Sequence, residues 1–144
     1  SSDVCSSDLD IPTQIILVMY LKDNMEFLHR NIERSMQKVR NKIANYLERL
    51  KPGGLLLVNS SIVPDDRKYR DDITVVKVPA TDIAAEVKNP KGANLVMLGA
   101  LAAHSDLFSI EYMESAIVSF FEKKGKGKFN EKNVACYRRG VEGK

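Results

Sequence analysis

The chain has 144 residues, of which 44% are hydrophobic and 28% charged, with a formal charge of +3. That is long enough for one domain with a real core, and the composition is that of a globular protein rather than a disordered or fibrous one. No apolar run approaches the ~20 residues of a membrane-spanning helix, and no basic, apolar and small-residue leader opens the chain, so the expectation is a cytoplasmic protein with no membrane partner.

Ser1 to Leu9 is serine-rich, begins without Met and has no helix or strand periodicity. Its back-translation resembles a sequencing-adapter oligonucleotide read in frame. Residues 1–9 are therefore read as non-native, with no part in the fold. Without Cys5, Cys136 stands alone, and neither a disulfide nor a cysteine metal site can be built. The remainder is expected to be a fragment without its true N-terminus.

The apolar run Ile15-Ile16-Leu17-Val18-Met19-Tyr20 predicts a buried strand. From Met25 to Leu50, apolar residues recur every three or four positions opposite Lys, Arg, Glu and Asn, which predicts one long amphipathic helix. His29 lies beside that stripe and reads as a surface histidine. Lys51-Pro52-Gly53-Gly54 supplies the stop. Gly54 to Asn59 is again continuously apolar and predicts a second strand, covered on both faces. Asn59, Ser60 and Ser61 follow at its carboxyl end, where open α/β sheets place ligands. They read either as a turn satisfying its own backbone or as contacts for a bound group or partner. Pro64 to Asp72 is charged and loop-like. Ile73 to Val78 is β-branched, with polar Thr74 and Lys77, and predicts a third strand nearer the sheet edge.

Pro79 ends that strand and a short helix follows. Asn89-Pro90-Lys91-Gly92 breaks it, and a second helix opens at Ala93 or Asn94 and runs to His104. This helix is nearly without charge, and a helix apolar on every side must be enclosed by protein. Its small residues admit a close backbone, so it is a central core helix or a subunit contact. His104, beside Asp106, fits a last helical turn better than a catalytic pair. Ser109 is positioned to cap the next helix, whose expected apolar face is Tyr112, Met113, Ala116, Ile117, Phe120 and Phe121. Glu122 to Lys128 is rich in lysine and glycine but lacks arginine and interleaved aromatics and joins two helices, so it reads as a solvated loop rather than a nucleic-acid site. A last helix opens at Asn130, with Val134, Ala135 and Tyr137 apolar and Gly140 as its stop. Cys136 reads as a small buried side chain. Strands first, alternating with a helix, then a run of helices: the pattern predicts an α/β fold.

Leu50-Lys51-Pro52-Gly53-Gly54-Leu55-Leu56-Leu57-Val58 resembles the turn into a late sheet strand of class I S-adenosylmethionine-dependent methyltransferases. Those proteins then add one helix and an antiparallel strand pair, whereas here a single strand and helices follow. A C-terminal methyltransferase part is thus the alternative reading. A longer series of segments resembles the gamma subunit, or gamma domain, of the 2-oxoacid:ferredoxin oxidoreductases, in that family's order and spacing. The segments are Tyr46 to Gly54, Val58 to Val63, Val78 to Ala84, Asn89-Pro90-Lys91 and Ala93 to Ala100. The helix start at Phe108-Ser109-Ile110-Glu111 and the closing Asn133-Val134-Ala135 before Gly140 are similar too.

The resemblance covers residues 46–142. Residues 10–45, a strand plus a long helix, do not resemble the family's preceding segment and are of uncertain origin. The resemblance implies a Rossmann-like three-layer domain, a partly parallel sheet sandwiched by helices, with the first strand and helix missing. It also implies a non-catalytic subunit whose complex converts a 2-oxoacid, coenzyme A and oxidised ferredoxin into acyl-CoA, carbon dioxide and reduced ferredoxin. Thiamine diphosphate, iron–sulfur clusters and coenzyme A are implied for the complex, with none bound by this chain, which has no Gly-Asp-Gly thiamine motif. The implied partners are the alpha, beta and ferredoxin-like subunits, and ferredoxin through them. Pro79, Thr81, Asn94, Met97 and Gly99 are the expected subunit-interface residues.

Overall fold

The structure is a computed structural model that describes residues 15–18, 41, 44–63, 65 and 67–144. The adapter-like start, His29 and most of the expected first helix lie outside these residues. Strands β1 (Ile15–Val18), β2 (Leu55–Asn59) and β3 (Thr74–Val78) form one sheet in the order β1-β2-β3. Strand β1 is parallel to β2, with Ile15 opposite Leu55 and Val18 opposite Val58. At one end of the β2–β3 pair the Thr74 N–H donates to the Gly54 carbonyl, and at the other the Ser60 N–H donates to Val78. Both strands therefore run the same way, and the α/β class expected from the sequence is the class observed. Every residue of β2 is buried, as its unbroken apolar run requires, whereas in β3 only Val78 is buried, Val75 and Val76 are half-buried and Thr74 and Lys77 are exposed, as suits an outer strand.

Four helices follow: α1 (Ala80–Glu86), α2 (Ala93–His104), α3 (Ile110–Lys123) and α4 (Asn130–Glu142). Single 3-10 turns at Pro90–Gly92 and Gly127–Phe129 lead into α2 and α4. The chain divides into two compact units, residues 1–58 with 62–77, and residues 59–61 with 78–144.

In the first unit, Leu50, Leu56, Val58 and Val63 form a buried cluster against which Leu47, Tyr69, Ile73 and Val75 pack. Each fully buried Leu or Val contributes about 2 kcal/mol relative to an exposed one. Residues 44–49 are helical and end where expected, with Gly53 in the left-handed region at φ 79°. One element of this stop is not local. The Arg70 guanidinium reaches back to donate to the Leu47 and Leu50 carbonyls at 2.6 and 2.7 Å, satisfying the helix end, while Asp72 grips it from the other side. That pairing holds the Asp72 carboxyl below its usual range.

In the second unit, α2 is the central helix. Val96, Met97 and Ala100 are wholly buried, and Leu95, Gly99, Leu101 and Ala102 nearly so. The backbone that its small residues admit belongs to α4 of the same chain. A β-carbon on Gly99 would collide with the Tyr137 carbonyl oxygen and lie 2.8 Å from the Val141 nitrogen. A β-carbon on Gly140 would collide with the Val96 carbonyl oxygen and lie 2.7 Å from its carbon. Gly140 consequently does not stop α4, as its sequence position suggested, but lets it cross α2. The stop is Gly143, at φ 78°.

Helix α3 starts as expected, with the Ser109 hydroxyl accepting from the Tyr112 N–H at 3.0 Å. Its apolar face is narrower than expected, because only Ile117 is buried and Tyr112 and Phe120 are exposed. It meets α4 through side chains: the Tyr137 hydroxyl donates to the Ile110 carbonyl at 2.9 Å, and Arg138 forms a two-pronged pair with Glu114.

The candidate functional site: polar residues at the carboxyl end of the strands

Strand β2 ends on Asn59, which is wholly buried although polar. Burying an amide is tolerable only when its donors and acceptors are met. Its Nδ2 donates to the Thr81 hydroxyl at 2.9 Å, and its Oδ1 accepts from the Ala80 N–H at 3.1 Å and the Ser61 N–H at 3.2 Å. The Ser61 hydroxyl accepts from the Asp82 N–H at 3.1 Å, and the Ser60 N–H is taken by Val78.

These contacts have one physical cause. Helix α1 begins directly after Pro79, and no side chain at that position bonds the first turn. The free N–H groups of that turn need acceptors from elsewhere. Asn59 and Ser61 provide two of them from the end of another strand. Asn59 and Ser61 are thus a long-range cap for α1, with Thr81 locking the Asn59 amide in place. The sequence places all three at the right end of the strand for ligand contact, but the geometry commits Asn59 and Ser61 to the fold.

Of the residues expected at a subunit interface, Asn94 is exposed and Pro79 and Thr81 are half-buried. Met97 is wholly buried, and Gly99 is covered by α4 of its own chain, so the neighbours of both are intramolecular. Asn94 closes its own turn, its Oδ1 accepting from the Leu95 N–H at 3.0 Å.

A second polar cluster, which sequence reasoning missed, joins the turn before α2 to α4. The Asn89 Nδ2 donates to Asn133 Oδ1 at 2.9 Å and lies 3.7 Å from the Cys136 sulfur. Cys136 is buried as expected, and burial pushes its thiol up, against smaller opposing effects of Asn89 and Arg139. A β-carbon on Gly92 would lie 2.6 Å from that sulfur, so the turn and the cysteine are fitted to each other. Asn89 and Cys136 are 47 residues apart, and no periodicity relates them. His104 ends α2 with Nδ1 2.9 Å from the Ala100 carbonyl oxygen, a contact within the helix rather than with Asp106.

Among the described residues no three His, Cys, Asp or Glu side chains converge as a metal site. An iron–sulfur cluster needs several thiolates, and this chain has two cysteines, of which Cys136 is a buried thiol fitted against Gly92. The residues present do not fit such a group. No helix among the described residues is long and apolar enough to cross a membrane.

Parallel strands followed by helices define an α/β domain whose conspicuous strand-end polar groups serve the fold. Residues 17–143 match the pyruvate ferredoxin/flavodoxin oxidoreductase family, and the chain belongs to that family. The match reaches back beyond Tyr46 into the predicted first strand. A curated relative is the 2-oxoglutarate synthase subunit KorC of Methanocaldococcus jannaschii, 39% identical over 98 residues, which are 67% of this chain and 50% of the relative. The chain thus spans about half the length of the relative it matches. No solved structure matches it. The alternative of methyl transfer finds no support in these similarities.

Proposed function

We propose that the chain is part of a non-catalytic gamma subunit of a 2-oxoacid:ferredoxin oxidoreductase, with a structural and positioning role. The observation that carries this reading is the family match over residues 17–143, to which the similarity to a synthase subunit adds a subunit role. In this reading the complex oxidatively decarboxylates a 2-oxoacid with coenzyme A and passes electrons to ferredoxin. Thiamine diphosphate and iron–sulfur clusters sit in the alpha, beta and ferredoxin-like subunits, and the protein works in the cytoplasm.

The geometry supports a non-catalytic role from an independent direction. Asn59 and Ser61, at the end of the strand where ligands bind in open α/β sheets, are engaged in capping α1. Of the interface set, exposed Asn94 and half-buried Pro79 and Thr81 remain as candidate contacts with neighbouring subunits. Co-expression with the thiamine-binding subunits tests the reading. The expected result is co-purification and 2-oxoacid-dependent ferredoxin reduction by the assembly. A chain that never co-purifies with them refutes it.

A further inference from the structure

The two arginines of the helical unit find carboxylates: Arg138 pairs with Glu114, and Arg139 pairs with Glu86. Its lysines form no ion pair with a described residue, and the loop after α3 gathers four of them. Lys123, Lys124, Lys126 and Lys128 are all exposed, and none forms an ion pair with a described residue. Two of them lie over aromatic rings instead, Lys124 Nζ 4.7 Å from the Phe120 centroid and Lys128 Nζ 5.1 Å from that of Phe129.

Those rings are themselves out of place for a chain that buries its core well. Phe120 is 52% exposed and Phe129 48%, and Tyr112 on the same helix is 69% exposed. Tyr112, Ala116, Phe120 and Lys124 follow one another at intervals of four, so they share one face running along α3 into the lysine loop. Exposed aromatics bordered by unneutralised charge make a surface in which the rings supply contact area and the charge selects the partner.

We propose that this α3 stripe and the lysine loop are a docking surface for a protein partner bearing carboxylates around an apolar patch. The inference rests on the subunit reading, and the partner is another subunit of the same complex. A polyanionic strand fits less well. No arginine lies between Phe120 and Asn130, and the Phe120 and Phe129 rings are already faced by ammonium groups, which competes with base stacking. Exposed Glu122 and Glu131 also flank the lysines and would repel a continuous line of phosphates, whereas a protein surface can place its charges around them. The same carboxylates oppose an anionic membrane surface.

The test uses the full chain co-expressed with the other subunits. The triple variant Lys124→Glu, Lys126→Glu, Lys128→Glu is expected to weaken assembly by about tenfold or more and to flatten its salt dependence. The double variant Tyr112→Ser, Phe120→Ser is expected to weaken assembly at all salt concentrations. Both should keep the wild-type circular dichroism and melting temperature. A control with the same net charge, Lys68→Glu, Lys91→Glu, Lys144→Glu, should assemble normally. Wild-type assembly by the loop variant, or equal loss in the control, overturns the proposal.

If the wild-type chain does not join those subunits, the subunit reading fails and the surface is read on poly-L-glutamate. Salt-sensitive binding lost in the loop variant alone supports the surface, and absence of binding overturns it. Tighter binding to single-stranded DNA or to anionic phospholipid vesicles than to poly-L-glutamate also overturns it.

Discussion

Helix α4 rests on two neighbours by opposite means. Against α2 it is held by backbone proximity, with Gly99 and Gly140 removing the side chains that would keep the helices apart. Against α3 it is held by side chains reaching across, Tyr137 to the Ile110 carbonyl and Arg138 to Glu114. The first contact is unforgiving because the opposing atoms are backbone; the second is adjustable because it is made by partly exposed side chains. A close-packed crossing transmits any added volume into the backbone, while a polar bridge loses only its own bond.

This contrast orders the expected effects. Gly140→Leu drives a side chain into Val96 and should destabilise the protein by at least ~3 kcal/mol, enough to abolish cooperative unfolding in urea. A fold that accepts this substitution with an unchanged midpoint would show the crossing to be loose. Asn59→Ala tests whether a polar staple can rival the crossing. It leaves the Ala80 and Ser61 N–H groups without their acceptor in a buried place and should cost about 2 to 3 kcal/mol by denaturant titration.

Tyr137→Phe removes only the hydroxyl bond from α4 to α3 and should cost about 1 kcal/mol. The smallest effect concerns the Arg138–Glu114 pair. The Arg138 guanidinium holds the Glu114 carboxyl below the usual range, so this pair stabilises the protein above that range and the contribution is lost as pH falls through the depressed value. Melting temperatures below about pH 4 should therefore fall a little less steeply for Glu114→Gln than for the wild type. Equal slopes would mean that solvent screens this exposed pair completely.

Features that depend on close neighbours along the chain are legible in the amino-acid sequence. The Ser109 cap works over three residues, and the stop at Gly53 depends on a local left-handed turn. The uninterrupted apolar runs of β2 and α2 require burial whatever lies around them. The narrow apolar face of α3 is not legible in this way. Its periodicity states which residues could be covered, but the neighbouring helix covers only part of that face. The candidate site is legible in place and not in role. Asn59, Ser60 and Ser61 stand at the end of a buried strand, and what engages Asn59 and Ser61 is a helix start about 20 residues on, left uncapped by Pro79.

By its own pattern the chain determined strand and helix types, the burial of β2 and α2, and the small residues through which a backbone must pass close to Gly99. These follow from hydrophobic period and local turn chemistry, which act over a few residues. Which backbone passes there, why α4 continues through Gly140, and why Arg70 turns back to the Leu47 and Leu50 carbonyls were decided only in three dimensions. Each joins groups 20 or more residues apart, and the free energy of such a pairing depends on a meeting that no local pattern encodes.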